Sequence, residues 1–133
     1  MEADLKRQSK TIMVIDDEAE KRIEVADLLE LNGYTVMQAG NGSEALAQLR
    51  LGLPPPALIL LDLQMPIMDG KAFIRRARSR SWLAHVPIVV MAEDPKPTIV
   101  GAATILKKPF AGNTLLNCVS RLTAASSNGG PAI

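Results

Sequence analysis

Three polar segments of the chain carry residue types that can do chemistry together. They are Asp16-Asp17-Glu18, Asp62 and Lys107-Lys108-Pro109, and each directly follows a short apolar run. Carboxylates about 4 Å apart repel by about 4 kcal/mol at an effective dielectric constant near 20, so a cluster of them needs a proton or a cation in its midst. A site made only of oxygen ligands suits a hard cation, and a few carboxylates with water suit Mg²⁺.

Such a cluster is suited to phosphoryl transfer. A bound Mg²⁺ with open positions accepts phosphate oxygens, a neighbouring carboxylate can attack phosphorus to give an aspartyl phosphate, and a lysine can hold a further phosphate oxygen. Each segment also has an ordinary interpretation: Asp16-Asp17 as a helix N-cap, Asp62 as a loop cap, and Lys108 as a surface amine. The chemistry therefore depends on a fold that brings the three segments together.

Alternating apolar runs and helical patterns predict such a fold. The predicted strands are 11–15, 34–37, 58–61, 86–91 and 104–106, and the predicted helices are 17–32, 41–49, 71–80 and one after Pro109. Unbroken apolar strands that alternate with helices indicate an α/β fold, a parallel sheet with helices on both faces. Ligands of these sheets bind beyond the carboxyl ends of the strands, which is where all three polar segments lie.

Length and composition bound the remaining possibilities. A chain of 133 residues with 47% hydrophobic residues predicts one domain, and we expect a disordered leader over 1–10, the domain over 11–123 and a flexible tail over 124–133. A net charge of +1 and 3% aromatic residues argue against nucleic-acid binding. The apolar runs are too short to span a membrane, so a cytoplasmic location without membrane contact is expected. The single cysteine, Cys118, excludes an intrachain disulfide.

The motifs around these segments resemble one family. The run Ile12-Met13-Val14-Ile15-Asp16-Asp17-Glu18 resembles the opening of bacterial response-regulator receiver domains. The segment 60–70, Leu-Leu-Asp-Leu-Gln-Met-Pro-Ile-Met-Asp-Gly, matches the phosphoacceptor segment of that family at every signature position, and Lys108-Pro109-Phe110 resembles its last motif. The resemblance covers about residues 11–123.

The resemblance implies a flavodoxin-like, doubly wound sheet of five parallel strands in the order 2-1-3-4-5. It implies that Asp62 is phosphorylated, that Asp17 binds Mg²⁺ directly and that Asp16 acts mainly through water. The backbone carbonyl of Gln64 would be a further metal ligand alongside Asp62. Lys108 would pair with the phosphoryl group, and its peptide bond to the following proline is expected to be cis.

The resemblance also implies a role as a phosphorelay signalling switch rather than an enzyme. The phosphoryl donor would be a histidine kinase or a histidine phosphotransfer protein. The few residues after 123 leave no room for a DNA-binding output domain, so output is expected through a downstream protein target, unless the chain is a fragment. A homodimer is left open.

Three departures from the family pattern concern the signalling end of the domain. Ala92 stands where the family has Thr or Ser, and Ile105 stands where it has a switching aromatic residue. Residues 93–107 must hold two loops, a helix and a strand, so the helix between the fourth and fifth strands is expected to be short or irregular. These departures predict a non-standard switch, or alternatively a degenerate receiver that acts as a phosphorylation-independent interaction module.

Two other functional classes fit the residues less well. An Mg²⁺-dependent phosphatase with an aspartate nucleophile usually carries a second Asp two residues later, and Gln64 occupies that position. A flavodoxin-type nucleotide binder needs a Ser-, Thr- or Gly-rich loop after the first strand, where Asp16-Asp17-Glu18 would repel phosphate.

The arginines of the predicted third helix are expected to form a solvated basic face; they are Arg75, Arg76, Arg78 and Arg80.

Overall fold

Five strands form one parallel sheet in the part of the chain that the structure describes. This structure, a computed structural model, describes residues 10–50, 54–63, 69–94 and 99–128. The sheet order is β2-β1-β3-β4-β5, which confirms the predicted flavodoxin-like order. The strands are β1 (Thr11–Ile15), β2 (Thr35–Ala39), β3 (Leu58–Asp62), β4 (Ile88–Ala92) and β5 (Thr104–Lys107).

Four helices lie in the same described ranges, and local sequence signals set their ends. Asn41 caps the second helix by accepting the Glu44 N–H at 2.8 Å, and Asp69 caps the third by accepting the Ala72 N–H at 2.8 Å. Gly33 follows the first helix with a φ of 94°, a conformation that glycine adopts without steric cost. The helices are α1 (Ala19–Leu31), α2 (Gly42–Leu49), α3 (Gly70–Arg78) and α4 (Gly112–Asn128).

The helices cover both faces of the sheet, as predicted. Ile12 and Val14 of β1 lie in an apolar cluster with residues of α1 and α4. Met13 and Ile15 of the same strand lie in a second cluster with residues of α2 and α3. Alternate strand residues therefore point to opposite layers, which is why β3 and β4 are buried along their whole length and, apart from Asp62, are apolar.

The connection from β4 to β5 has no helix within its described residues, 93–94 and 99–103. Residues 99–102 form a turn in which the Ala102 N–H donates to the Ile99 carbonyl at 3.1 Å, and Gly101 has a φ of 95°. A Cβ at Gly101 would also lie 2.6 Å from the Ile74 side chain, so glycine is required there. The prediction of a short or irregular helix is confirmed for this described part.

The Arg78 side chain holds this connection against the end of α3. Its Nη1 donates to the carbonyl oxygens of Leu83, Ala84 and Val86 at 3.1, 3.1 and 2.9 Å. Its Nη2 donates to the Gly101 carbonyl at 2.7 Å. The expectation of a uniformly solvated basic face is therefore wrong for Arg78, because its guanidinium satisfies three main-chain carbonyls of the loop after α3 and one of the β4–β5 connection.

The last helix continues to Asn128, beyond the boundary at residue 123 expected from the sequence. Ala124 and Ala125 are strong helix formers, so α4 propagates through them before the glycine pair at 129–130. The division into leader, domain and tail otherwise stays a prediction, since 1–9 and 129–133 lie outside the described residues.

Among the residues that the structure describes, no helix is long and apolar enough to span a membrane. The cytoplasmic location stays a prediction.

Candidate functional site

Two neighbouring strands bring the predicted carboxylates together. β1 and β3 are paired in register through Ile15 and Leu61, so Asp16 and Asp62 follow at the same edge of the sheet. Asp16 and Asp62 are buried, whereas Asp17 is exposed. Carboxylate oxygens of the three residues lie within 4.8 Å of one another, a spacing that one hard cation can bridge directly or through water.

Lys108 reaches this acidic cluster from the end of β5. Its N–H donates to the Ala92 carbonyl at 2.8 Å, which places the residue directly beyond the strand pairing of β4 and β5. Its Nζ lies 2.9 Å from Oδ1 of Asp62, and the two side chains are only 17% and 8% exposed. The Lys108–Pro109 peptide bond is cis, as predicted. The ammonium therefore offsets part of the negative charge in the site.

Arg22 holds the turn that carries Asp16, a role that the sequence did not predict. Its Nη1 donates to the main-chain carbonyl of Asp16 at 2.8 Å, and its Nε donates to Oε1 of Gln38 at 3.1 Å. One carboxylate oxygen of Asp16 in turn accepts the Glu18 N–H at 2.9 Å. The interpretation of Asp16 as a helix N-cap is wrong, because Glu18 is the N-cap residue of α1 and no side chain caps that helix; the bond from Glu18 instead closes a turn before it. No sequence signal singles out Arg22 among the charged residues of α1.

The loop after Asp62 is held by a close backbone contact. The Leu63 N–H donates to the Met91 carbonyl at 3.1 Å, and the Gly70 N–H donates to the Leu63 carbonyl at 3.0 Å. A Cβ at Gly70 would lie 3.0 Å from the Leu63 Cα and carbonyl oxygen, so a larger residue would require the backbone at Leu63 to shift. Gln64, a predicted metal ligand, lies outside the described residues.

Neither of the two predicted switch positions, Ala92 and Ile105, carries a polar side-chain group. Ala92 is the last residue of β4 and is buried, and its carbonyl accepts the Lys108 N–H. Ile105 of β5 packs, partly buried, against the apolar cluster that contains Ala92. The last residue of β4 therefore contributes a methyl group, and no hydroxyl, to this edge of the sheet.

A cleft of about 520 Å³ opens beside the acidic cluster. Asp16 and Lys108 are among its charged lining residues, and Val25, Met91 and Phe110 supply apolar lining. The site thus combines clustered carboxylates, the Lys108 ammonium group and open space. Chemically, this arrangement can bind a hard cation together with an anionic group such as a phosphate.

The sequence model of the response regulator receiver domain family matches residues 12–120. The chain belongs to this family. Receiver domains act as signalling switches in two-component systems, bind Mg²⁺ at an acidic pocket, and interact with histidine kinases and downstream targets. The acidic cluster of this receiver domain, with oxygen ligands only, fits that metal.

Relatives of this receiver domain include both separate domains and parts of longer proteins. The solved structure of the Vibrio cholerae chemotaxis protein CheY4 is 31% identical, with a TM-score of 0.79, and covers 85% of this chain and 98% of that protein. The Pseudomonas aeruginosa phosphate regulon transcriptional regulatory protein PhoB is 35% identical over 92% of this chain and 54% of its own length. The sensor histidine kinase TmoS of Ectopseudomonas mendocina is 29% identical over 84% of this chain. The chain spans only 12% of TmoS.

Proposed function

We propose that this receiver domain accepts a phosphoryl group on Asp62 from a histidine kinase or a histidine phosphotransfer protein. The observation that carries the proposal is the position of Asp62, whose carboxylate lies in the acidic cluster with Lys108 Nζ 2.9 Å from its Oδ1. In the transfer, an Asp62 oxygen attacks the phosphorus of a phosphohistidine. The new P–O bond forms as the P–N bond breaks, and the imidazole nitrogen takes up a proton.

Asp16, Asp17, Asp62 and the backbone carbonyl of Gln64 are the proposed ligands of Mg²⁺. When bound, the ion offsets the charge of the carboxylates and accepts phosphate oxygens. Lys108 would exchange its contact with the carboxylate for one with a phosphoryl oxygen, as a flexible point charge can. The close spacing of the three carboxylates and the burial of Asp16 and Asp62 support this assignment.

Output is proposed to pass through protein–protein contacts with a switch that differs from the family's usual one. A Thr or Ser at the end of β4 would bond a phosphoryl oxygen, and a bond to a charged group contributes about 1.5–3 kcal/mol. Ala92 cannot form that bond. Ile105 has no aromatic ring that could change position in response to such a bond. In the described residues of the β4–β5 connection, turns stand in place of a helix, which supports a remodelled output surface.

Acetyl phosphate with Mg²⁺, followed by intact mass measurement, tests the phosphoacceptor. We expect one phosphoryl adduct, lost with EDTA and lost in Asp62→Asn. Asp69→Asn is the matched control, because Asp69 caps α3 nearby and asparagine caps a helix equally well. An adduct that persists in Asp62→Asn would contradict the assignment.

The degenerate receiver is the second candidate, and the apolar pair Ala92 and Ile105 is the observation that favours it. A module of that kind would give no adduct with acetyl phosphate or with a phosphorylated histidine phosphotransfer protein. Its binding to a downstream target would also be unchanged by Asp62→Asn. Both results together would replace the phosphoacceptor proposal.

A further inference from the structure

A groove of about 410 Å³ runs between α3 and the turn of the β4–β5 connection. Its apolar lining includes Val100, which is 87% exposed, an unusual degree for a valine. No carboxylate lines the groove among the residues that the structure describes. The lining residues are Ile74, Ile99 and Val100 with the cations Lys71, Arg75 and Arg78.

Two of these cations are available to a partner. Lys71 and Arg75 lie one helical turn apart on α3 and are exposed, and neither pairs with a carboxylate in the described ranges. Arg78 is instead engaged with main-chain carbonyls. The groove therefore offers an apolar floor with a positive rim, which fits an apolar ridge flanked by carboxylates.

The chain itself carries such a ridge on α1. Ile23, Asp27, Glu30 and Leu31 have the spacing of one helix face, and Leu31 is 84% and Ile23 47% exposed. Asp27, Glu30 and Leu31 surround a shallow depression. Asp27 and Glu30 are exposed and pair with no cation among the described residues. We call these four residues the α1 ridge.

We propose that the groove binds the α1 ridge of a second copy of the chain. Leu31 would enter the groove beside Val100, and Asp27 and Glu30 would face Arg75 and Lys71. Burial of two strongly exposed apolar side chains, with opposite charges around them, is the pattern of a protein contact with an apolar centre and a polar rim.

The two surfaces lie on opposite sides of the molecule. α1 packs on one apolar cluster of the sheet, whereas α3 packs on the other. A contact between different surfaces of identical chains is heterologous, so each copy keeps a free groove or a free ridge after the first contact. The proposed assembly is therefore head-to-tail and grows with concentration, rather than a closed symmetric dimer.

Sedimentation velocity on the full chain tests this assembly, from roughly 10 μM to about 0.5 mM at low salt. We expect the average mass to rise above the 14.3 kDa of one chain with concentration and to fall when salt is added. Arg75→Glu in the groove and Leu31→Lys on the ridge should each weaken association by about tenfold or more. Arg50→Glu, an exposed charge reversal at the end of α2, is the matched control and should leave it unchanged.

A mixture of the two blocked variants gives the decisive result. Arg75→Glu keeps an intact ridge and Leu31→Lys keeps an intact groove, so the mixture should form a complex of twice the chain mass and nothing larger. A mixture that stays monomeric overturns the proposal, as does association that Arg75→Glu leaves unchanged. A parent chain that stays monomeric at every concentration also overturns the proposal. The groove would then be expected to bind an acidic segment of another protein.

Discussion

Lys108 and Asp62 form an ion pair in which the ammonium nitrogen lies 2.9 Å from a carboxylate oxygen, although 46 positions separate them in the chain. The pair exists because β4 links the two strands that carry it: Asp62 pairs in register with Met91, and Ala92 pairs with Lys107. Both side chains are mostly buried. In the proposed phosphorylated form, the same ammonium would lie beside the phosphoryl group on Asp62.

Replacement of Lys108 by methionine separates the stability of the site from its affinity for metal. Loss of the ammonium beside the buried Asp62 carboxylate should lower the free energy of unfolding in EDTA by about 2 kcal/mol, measured by urea denaturation. Mg²⁺ affinity should rise, because the variant removes a positive charge from beside the metal ligands. Lys107→Met, at an exposed neighbouring position, should change neither quantity. Weaker Mg²⁺ binding in Lys108→Met would contradict this account of the site.

Asp17→Asn should have different effects on the stability of the folded protein with and without Mg²⁺. Asp17 is exposed and belongs to a cluster of like charges, so its neutralisation in EDTA should leave stability unchanged or raise it slightly. Mg²⁺ at 100 times its dissociation constant stabilises a folded protein by about 2.7 kcal/mol, and this gain should largely disappear in the variant. Thermal unfolding with and without Mg²⁺ measures both effects. Asp27→Asn, on the exposed face of α1, is the control that should keep the full gain.

The sheet and its polar edge could be predicted because both depend on local pattern. Runs of three to six mostly apolar residues marked every strand, and a polar segment after three of them indicated where Asp16, Asp62 and Lys108 would meet. Alternation of strand and helix then left few topologies for a parallel sheet. The resemblance to receiver domains added the strand order and the cis bond after Lys108.

The supports of the site and of the β4–β5 connection could not be predicted, since they depend on contacts between distant residues. The sequence predicts that Arg78 is one of several surface arginines on α3, yet its side chain donates to the Gly101 carbonyl, 23 positions away. Arg22 likewise reads as a solvated helix residue, yet it bonds the carbonyl of Asp16. Long flexible side chains reach several environments from one backbone position, so only the folded structure decides which one they use.

Arg78→Met should loosen the β4–β5 connection. The variant leaves carbonyl oxygens without their charged donor and should lower the unfolding free energy by about 2 kcal/mol. Amide hydrogen exchange should accelerate most at Ala102 and Ala103, which donate within and beside the turn that Arg78 holds. Arg76→Met is the control, because the Arg76 side chain is exposed on the same helix. Equal exchange in both variants would mean that Arg78 does not hold the turn.

Ala92→Thr should restore a hydroxyl to the end of β4. A hydrogen bond worth ~2 kcal/mol to a phosphoryl oxygen corresponds to about a 30-fold gain in affinity for a phosphoryl mimic such as beryllofluoride. Titration by NMR measures this affinity, and the shifts over residues 92–94 and 99–106 report any accompanying rearrangement. Ala92→Val adds similar volume without a hydroxyl and is the matched control. A gain that the valine variant shares would assign the effect to packing rather than to the hydroxyl.

Cys118 should make stability fall at alkaline pH. The thiol is buried on α4, and burial raises its pKa above the ordinary value of 9.0, although the Arg121 charge opposes this. Above that ordinary value the unfolded chain loses the thiol proton first, so the unfolded state binds fewer protons and unfolding becomes easier as pH rises. Urea denaturation from pH 8 to 10 should therefore show a steeper loss of stability in the parent than in Cys118→Ala. Parallel pH profiles would contradict the raised pKa, and rapid alkylation of the folded parent by iodoacetamide would contradict the burial.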